Sequence, residues 1–175
     1  MAAKKVAEQR MLDGMEPTPR ELGFRGPQVC SIVGITYRQL DYWARTDLVR
    51  PSINDAKGSG TQRTYSFADL VRLKVVKSLL DAGVKLQAAR AAIDYLRDDL
   101  GEPQWETASL VLDGSNSVLA RNGDQLVDLV RKGQGVLNIV PLGSMLQEVD
   151  AAIHELVPQA AAAGDTRGSR AAQGG

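Results

Sequence analysis

The amino-acid sequence predicts a mainly α-helical fold that ends in a small α+β part. Residues 27–52 have the pattern of two short helices joined by a tight turn. Residues 53–65 form a turn-rich stretch that ends in strand-like composition, and residues 107–158 alternate short apolar strands with amphipathic helices. These segments predict two adjoining domains, with no long coiled-coil helix after the first.

The segment from 27 to 52 has the spacing of a helix–turn–helix. Apolar residues from Val29 to Val33 fall on one helical face, and Gly34 follows where a chain leaving a helix often needs a positive φ. Thr36 stands at the N-cap position of a second helix, whose inward face carries Leu40 and Trp43. Proteins use this arrangement to place a rigid helix end in the major groove of DNA.

The outward face of the second helix is polar and aromatic. The start of the helix is the positive end of its dipole, which favours phosphate. A plain helical hairpin has the same spacing, so this segment alone leaves both interpretations open. The candidate DNA-binding residues here are Thr36, Tyr37, Arg38, Gln39, Tyr42 and Arg45.

The stretch from 53 to 65, called the wing below, has turn-forming residues in its middle and a strand-like end, so it predicts a β-hairpin. Arg63 and Tyr65 are two residues apart and would share one face of a strand. A guanidinium and a phenol placed there suit paired contacts to a phosphate backbone. Arg63 and Tyr65 are therefore further candidate DNA-binding residues.

Two more helices follow the wing. Ser66 is a predicted N-cap with Asp69 as an acidic first-turn residue, and Gly83 ends this helix. Another helix is predicted over residues 86–100 from the spacing of its apolar residues.

These blocks together resemble the winged helix–turn–helix domain of MerR-family transcription regulators. They are Gly34-Ile-Thr-Tyr-Arg-Gln-Leu-Asp-Tyr-Trp, then Gln62-Arg-Thr-Tyr-Ser-Phe, then Leu80-Asp-Ala-Gly-Val-Lys, within residues 25–100. The resemblance implies a homodimer that binds double-stranded DNA at a pseudo-palindromic promoter site, with RNA polymerase as a further candidate partner. It places Arg38 and Tyr42 on the recognition helix, and Lys85 at a corner that acts as a second wing.

The chain departs from the family pattern in two places. Asp41 follows the recognition-helix leucine where the family commonly has an arginine. It either accepts from a cytosine amine or forms an ion pair with a neighbouring arginine such as Arg45, and the ion pair is favoured. The second departure is Leu100-Gly-Glu-Pro, which stops the helix where most members continue into a coiled coil.

Residues 107–158 predict a β-β-α-β-α domain, with its first helix over 124–132 and its last over 141–157. Residues 128–143 resemble the C-terminal region of some MerR-like regulators of high-GC Gram-positive bacteria, which implies a dimerising or effector-sensing role. The apolar stripe of the last helix could pack on a partner or on its own sheet, and both remain open. Gly143 is interpreted as a turn glycine.

The ends and the charge distribution complete the domain prediction. We expect a flexible tail over residues 1–24, a linker over 101–106 and a disordered tail over 159–175. Residues 26–85 carry nine Lys/Arg against five Asp/Glu, and residues 101–175 carry five against nine. A basic part beside an acidic one is typical of a DNA reader joined to a part that avoids DNA. No membrane segment or signal peptide is predicted, so we expect a cytoplasmic, nucleoid-associated protein.

The sequence argues against several other classes. Cys30 is the one cysteine and His154 the one histidine, too few for a closed zinc site, and Cys30 is interpreted as a core residue. No cofactor site is expected, and no catalytic constellation that would indicate an enzyme is visible. The alternative that stays open is a protein-interaction module with a winged-helix fold whose DNA binding is secondary.

Overall fold

Five α-helices and two small sheets make up the part of the chain that the computed structural model describes, residues 18–56, 58, 60–113, 117–122 and 137–164. The predicted class, mainly α with a small α+β part, is confirmed. Among these residues no helix combines the length and the apolar character needed to cross a bilayer. The helices are α1 (Gly26–Val33), α2 (Tyr37–Arg45), α3 (Phe67–Asp81), α4 (Leu86–Asp98) and α5 (Leu142–Gly164). The strands are β1 (Phe24–Arg25), β2 (Thr64–Tyr65), β3 (Ala108–Asp113), β4 (Ser117–Asn122) and β5 (Leu137–Pro141).

The turn between α1 and α2 has the predicted chemistry. Gly34 adopts a φ of 76°, and its N–H donates to the Cys30 carbonyl at 2.9 Å. The Thr36 hydroxyl accepts from the Gln39 N–H at 3.2 Å, while the Gln39 side-chain oxygen accepts from the Thr36 N–H at 3.0 Å. This reciprocal capping box satisfies two backbone donors and fixes where α2 begins.

The wing is closed by fewer hydrogen bonds than a full hairpin. Asn54 and Thr64 exchange backbone hydrogen bonds of 3.1 and 2.8 Å as an isolated bridge. Strand β2 pairs instead with β1, antiparallel, so that Phe24 lies opposite Tyr65. The predicted flexible tail over 1–24 is therefore wrong for its last residues, since a 3₁₀ turn over Pro19–Glu21 and the start of β1 lie within it. The rest of that prediction, residues 1–17, falls outside the described residues.

The buried charged side chain of the described core is Asp69, at the start of α3. Its Oδ2 accepts from the Ser52 N–H at 2.8 Å, the Ser52 hydroxyl at 2.7 Å and the Ser66 N–H at 2.9 Å. Its Oδ1 accepts from Arg72 at 3.1 Å. A buried carboxylate is tolerated when its lone pairs are filled in this way. Asp69 therefore joins the segment after α2, the end of the wing and the start of α3.

The segment predicted as a linker, residues 101–106, is exposed except for Trp105, whose side chain is anchored in the core. A 3₁₀ turn over Glu102–Gln104 turns the chain, and the Trp105 side chain behind it is 1 % exposed. The Trp105 indole N–H donates to the Leu100 carbonyl at 3.0 Å. The Arg72 guanidinium lies 5.3 Å from the indole ring centroid, a cation–π distance. The composition of this short turn did not reveal that its tryptophan would be buried.

The C-terminal sheet is antiparallel, with β3 in the centre in the order β4-β3-β5. The three predicted strands are present, and the helix predicted over 124–132 lies outside the described residues. Helix α5 runs to Gly164, past residue 159, where the disordered tail was predicted to start. The remainder of that tail prediction, 165–175, also falls outside the described residues.

Helix α5 packs inward on the rest of the same chain. Its buried stripe lies against α3, α1 and β3, and Lys74 of α3 reaches Glu148 of α5 at 3.1 Å. Gly143 is the second residue of this helix rather than a turn glycine, and a Cβ there would come within 2.6 Å of the Glu106 carbonyl oxygen, so a larger residue would clash. One continuous core therefore joins the two predicted parts. The buried residues of α5 are Leu142, Leu146, Val149 and Ile153.

Tyr65 is a core residue of the wing. Its side chain is fully buried, beneath the β1–β2 pairing. Its hydroxyl has no hydrogen-bond partner among the described residues. Burial raises the pKa of Tyr65 to about 12, so the phenol is neutral at physiological pH.

Replacing Asp69 with alanine should destabilise the fold by about 2–4 kcal/mol, because four donors lose their acceptor in a buried site. Urea unfolding of the purified chain measures this loss. Asp94→Ala is the matched control: Asp94 forms a surface ion pair with Arg97 at 3.0 Å, and such pairs contribute about 0–1 kcal/mol. Equal small effects of the two substitutions would contradict the role given to Asp69.

Replacing Tyr65 with phenylalanine should leave stability at pH 7 within about 1 kcal/mol of the parent, or raise it, because the hydroxyl removed has no partner. The same substitution should reduce the loss of stability between about pH 10 and about pH 12. In that window the unfolded chain releases the Tyr65 proton while the folded chain, with its raised pKa, still holds it. Unfolding curves of both proteins at several pH values measure the difference. The prediction would be refuted if the free energy of unfolding fell equally with pH in both proteins above about pH 10.

Candidate nucleic-acid interface

Helix α2 presents its polar face to solvent and its apolar face to the core. Tyr37 and Tyr42 are 65 % and 47 % exposed, although both are large aromatic residues. Leu40 and Trp43 are buried on the opposite side. All six residues predicted for contact with DNA in this segment are exposed. The apolar face of the helix is thus packed on the core while its polar face is open to solvent, which suits insertion into a groove.

The start of α2 is held in place by two contacts. Besides the capping box, the Thr36 hydroxyl lies 3.1 Å from the side-chain oxygen of Gln39, so these two predicted site residues bond to each other. The Tyr37 ring rests on Gly26 at the start of α1, where an added Cβ would come within 3.0 Å of its Cε2 atom. Gly26 therefore lets the exposed tyrosine lie against the backbone of α1.

Asp41 lies at the centre of an ion-pair cluster that joins α2 to the wing. Its Oδ2 is 2.9 Å from Nε of Arg45, the pair that the helical spacing predicts. Its Oδ1 accepts from Nη1 of Arg63 at 2.8 Å, and Nε of Arg63 lies 3.6 Å from Asp55. The Arg63 hydrogen bond, with the nearby charge of Arg45, holds the pKa of Asp41 below its ordinary value. The same hydrogen bond raises the pKa of Arg63.

The structure corrects the predicted role of Tyr65. The prediction placed Arg63 and Tyr65 together on an exposed strand face, but β2 begins only at Thr64 and Tyr65 points into the core. Its hydroxyl is closed off from solvent and cannot reach a phosphate in this arrangement. Arg63 is itself only 22 % exposed. Both residues of the strand pair with β1, whereas within the wing Thr64 forms a bridge with Asn54, and Tyr65 faces the core.

The four cations predicted to contact DNA therefore differ in whether they form an ion pair within the protein. Arg45 and Arg63 are both paired with Asp41. Arg38 on α2 and Lys85 at the start of α4 are exposed and form no ion pair with any residue in the described ranges. A cation that forms no ion pair within the protein can bind a phosphate or a base edge without first breaking an ion pair.

A cavity of about 490 Å³ lies between the start of α1, the start of α2 and the wing. Tyr37, Leu40, Asp41, Arg63 and Tyr65 line it, together with the first residues of α1. The cavity thus borders the ion-pair cluster on one side and the exposed tyrosine on the other.

The described residues offer no metal centre. No group of three or more His, Cys, Asp or Glu side chains among them has the geometry to hold a metal ion. Cys30 is partly buried against the core, and burial raises the pKa of its thiol. A raised pKa lowers the fraction of reactive thiolate, in keeping with a packing role.

Sequence reasoning missed the contact between Asp41 and Arg63, which are 22 residues apart. One signal was present: an acid at position 41 among candidate phosphate contacts requires a neutralising cation. The helical spacing supplied Arg45, but the second cation comes from the wing, and only the folded chain brings it near.

Comparison with known proteins agrees with this geometry. The profile of the MerR HTH family regulatory proteins matches residues 24–96, which span β1 to α4. The chain is also 50 % identical over 131 residues to proteins named uncharacterized HTH-type transcriptional regulators, one from Mycobacterium bovis and two from strains of Mycobacterium tuberculosis. The aligned region covers 74 % of this chain and 58 % of each relative. Residues 24–96 of this chain are therefore similar to the HTH domain of the MerR family of regulatory proteins.

Proposed function

We propose that this protein is a sequence-specific DNA-binding transcription regulator. The observation that supports this most directly is α2, whose outward face exposes two tyrosines and Arg38, which forms no ion pair within the described residues, while its inward face is buried in the core. Exposed aromatic and cationic side chains on one rigid helix fit contacts to base edges and phosphates. The names of the mycobacterial relatives agree with this role.

We further propose that it acts as a homodimer on a pseudo-palindromic promoter site. Helix α2 has nine residues and is about 14 Å long, which spans about four base pairs at 3.4 Å each. A site this short recurs too often in a genome to be selective. A second copy with its own α2 in a successive groove doubles the sequence that is read.

Each candidate residue has a proposed role in this complex. Arg38 and Tyr42 contact base edges from α2, and Thr36, Tyr37, Gln39 and Arg45 flank them. Arg63 and Lys85 contact the phosphate backbone and fix the register. Tyr65 supports the wing from within, in place of the phosphate contact that the sequence suggested. Such a protein acts on the nucleoid, where RNA polymerase is a candidate partner at the promoter.

We infer that the protein is not an enzyme. Similarity to a family of regulatory proteins supports this inference. The exposed groups of α2 are also binding groups rather than an arranged nucleophile, base and acid.

Selection of genomic DNA fragments by the purified chain, at near-physiological salt, tests the proposed function. We expect enrichment of an inverted repeat whose half-sites are separated by about one helical turn. Enrichment of a single half-site would contradict the dimer but keep specific binding. No enrichment, together with affinity for a defined protein, would instead support the interaction-module alternative.

Substitutions on α2 and the wing test the separate roles. Arg38→Ala should weaken binding to the selected duplex by about 1–3 kcal/mol and relax the base preference at one position. Arg63→Ala should weaken binding to the selected duplex without changing the base preference, and should reduce the salt slope on that duplex by about 1. Fluorescence anisotropy on selected and random duplexes measures both. Equal losses on the two duplexes for Arg38→Ala would refute base reading.

Tyr65→Phe is the control for these measurements. Because the Tyr65 hydroxyl is buried, its removal should leave DNA affinity unchanged at every salt concentration. A loss of affinity comparable to that of Arg63→Ala would mean that the wing opens on DNA and exposes this tyrosine.

A further inference from the structure

Asp41 is the single acidic residue of α2, and it lies on the helix that carries the candidate base contacts. A carboxylate near DNA phosphates is repelled by them, so its placement there weakens binding unless a cation neutralises it. Each of its two oxygens is matched to one arginine, at 2.8 Å for Arg63 and 2.9 Å for Arg45. The geometry is that of a saturated bridge between the recognition helix and the wing.

This bridge occupies two of the four cations predicted to contact DNA. Arg63 is the more enclosed of the pair, and its guanidinium also faces Asp55 at 3.6 Å. Arg45 is mostly exposed. In the free protein, both arginines thus form ion pairs with carboxylates of their own chain, Arg63 from an enclosed position and Arg45 while most of its side chain faces solvent. Within the described ranges, Arg38 and Lys85 are the two of the four cations that form no ion pair.

Building on the proposed DNA-binding function, we propose that Asp41 is a specificity-determining residue that withholds Arg63 and Arg45 from sequence-independent contact with phosphates. Binding to random DNA is almost wholly electrostatic, so each arginine held by Asp41 removes one contribution to it. At the correct site, base contacts from α2 hold the backbone close to the cluster. Phosphate oxygens, which match a guanidinium as well as a carboxylate does, then displace Asp41.

Such an exchange is feasible because the cluster lies at the surface. Ion pairs near solvent are weak enough to open when a competing anion approaches. A buried pair without solvent access would instead resist displacement. Asp41 is half-buried, and Arg45 is exposed beside it, so one arm of the bridge is open to solvent.

Asp41→Asn tests this inference, since it removes the charge and keeps the shape. Anisotropy titrations of the full chain use the selected duplex and a random duplex of equal length, from about 50 to about 200 mM salt. We expect the variant to bind the random duplex about three- to tenfold more tightly, with a salt slope steeper by about 1–2. Affinity for the selected duplex should change less, so the ratio of the two affinities falls.

Three further variants separate the cluster from general charge effects. Asp94→Asn removes an equal charge from the Asp94–Arg97 pair on α4 and should leave the ratio unchanged. Asp41→Glu keeps the carboxylate and should restore the parent ratio. In an Arg63→Ala background, Asp41→Asn should have a smaller effect, because one of the two withheld arginines is gone. Asp41→Ser carries the same test if the asparagine variant unfolds at the assay temperature.

The outcomes distinguish this inference from the function on which it rests. If Asp41→Asn changes the affinity for the random duplex no more than Asp94→Asn does, the inference is overturned, while the preference of the parent chain for the selected duplex is unaffected. If Asp41→Asn weakens only the selected duplex, Asp41 reads a base and the inference is also overturned. If the parent chain shows no preference for the selected duplex, the proposed function fails, and the inference fails with it.

Discussion

The arrangement of the interface depends on one buried carboxylate. Asp69 binds the backbone and hydroxyl of Ser52, just after α2, and the backbone of Ser66, where the wing ends. It also accepts from Arg72, whose guanidinium lies over Trp105. A buried charge requires these donors to stay where they are, since each loss leaves it undersatisfied. The segment after α2, the wing and α3 are therefore set relative to one another by the same acid.

A second acid, Asp41, has the opposite environment. It lies at the surface and holds arginines that are themselves candidates for contact with DNA. Asp69 is itself buried, so its four donors must stay in place, whereas Asp41 is partly exposed, and we propose that a phosphate can replace it as the partner of its arginines. In that proposal one aspartate forms a fixed joint and the other an exchangeable one. Burial is the physical difference between them.

The C-terminal part is continuous with the helix–turn–helix part. Helix α5 lies against α3, and the ion pair between Lys74 and Glu148 joins their exposed edges. Trp105 lies against Arg72, so the short segment between the two parts is anchored in the core by this side chain. Because α3 begins where the wing ends, helix α5 and the wing are both attached to α3. The two parts therefore form one packed body rather than two that are loosely connected.

Local signals in the sequence determined the helical elements of this protein. Gly34, Thr36 and Ser66 act through their own backbone or through residues three positions away, and their roles follow from spacing alone. The inward face of α2 and the pair between Asp41 and Arg45 follow from helical periodicity in the same way. The tertiary structure decided what depends on distant partners. It paired β2 with β1 and so buried Tyr65, it brought Arg63 to Asp41, and it packed Trp105 into the core. These contacts join residues far apart in the chain, and no local propensity encodes which surfaces meet when the core closes.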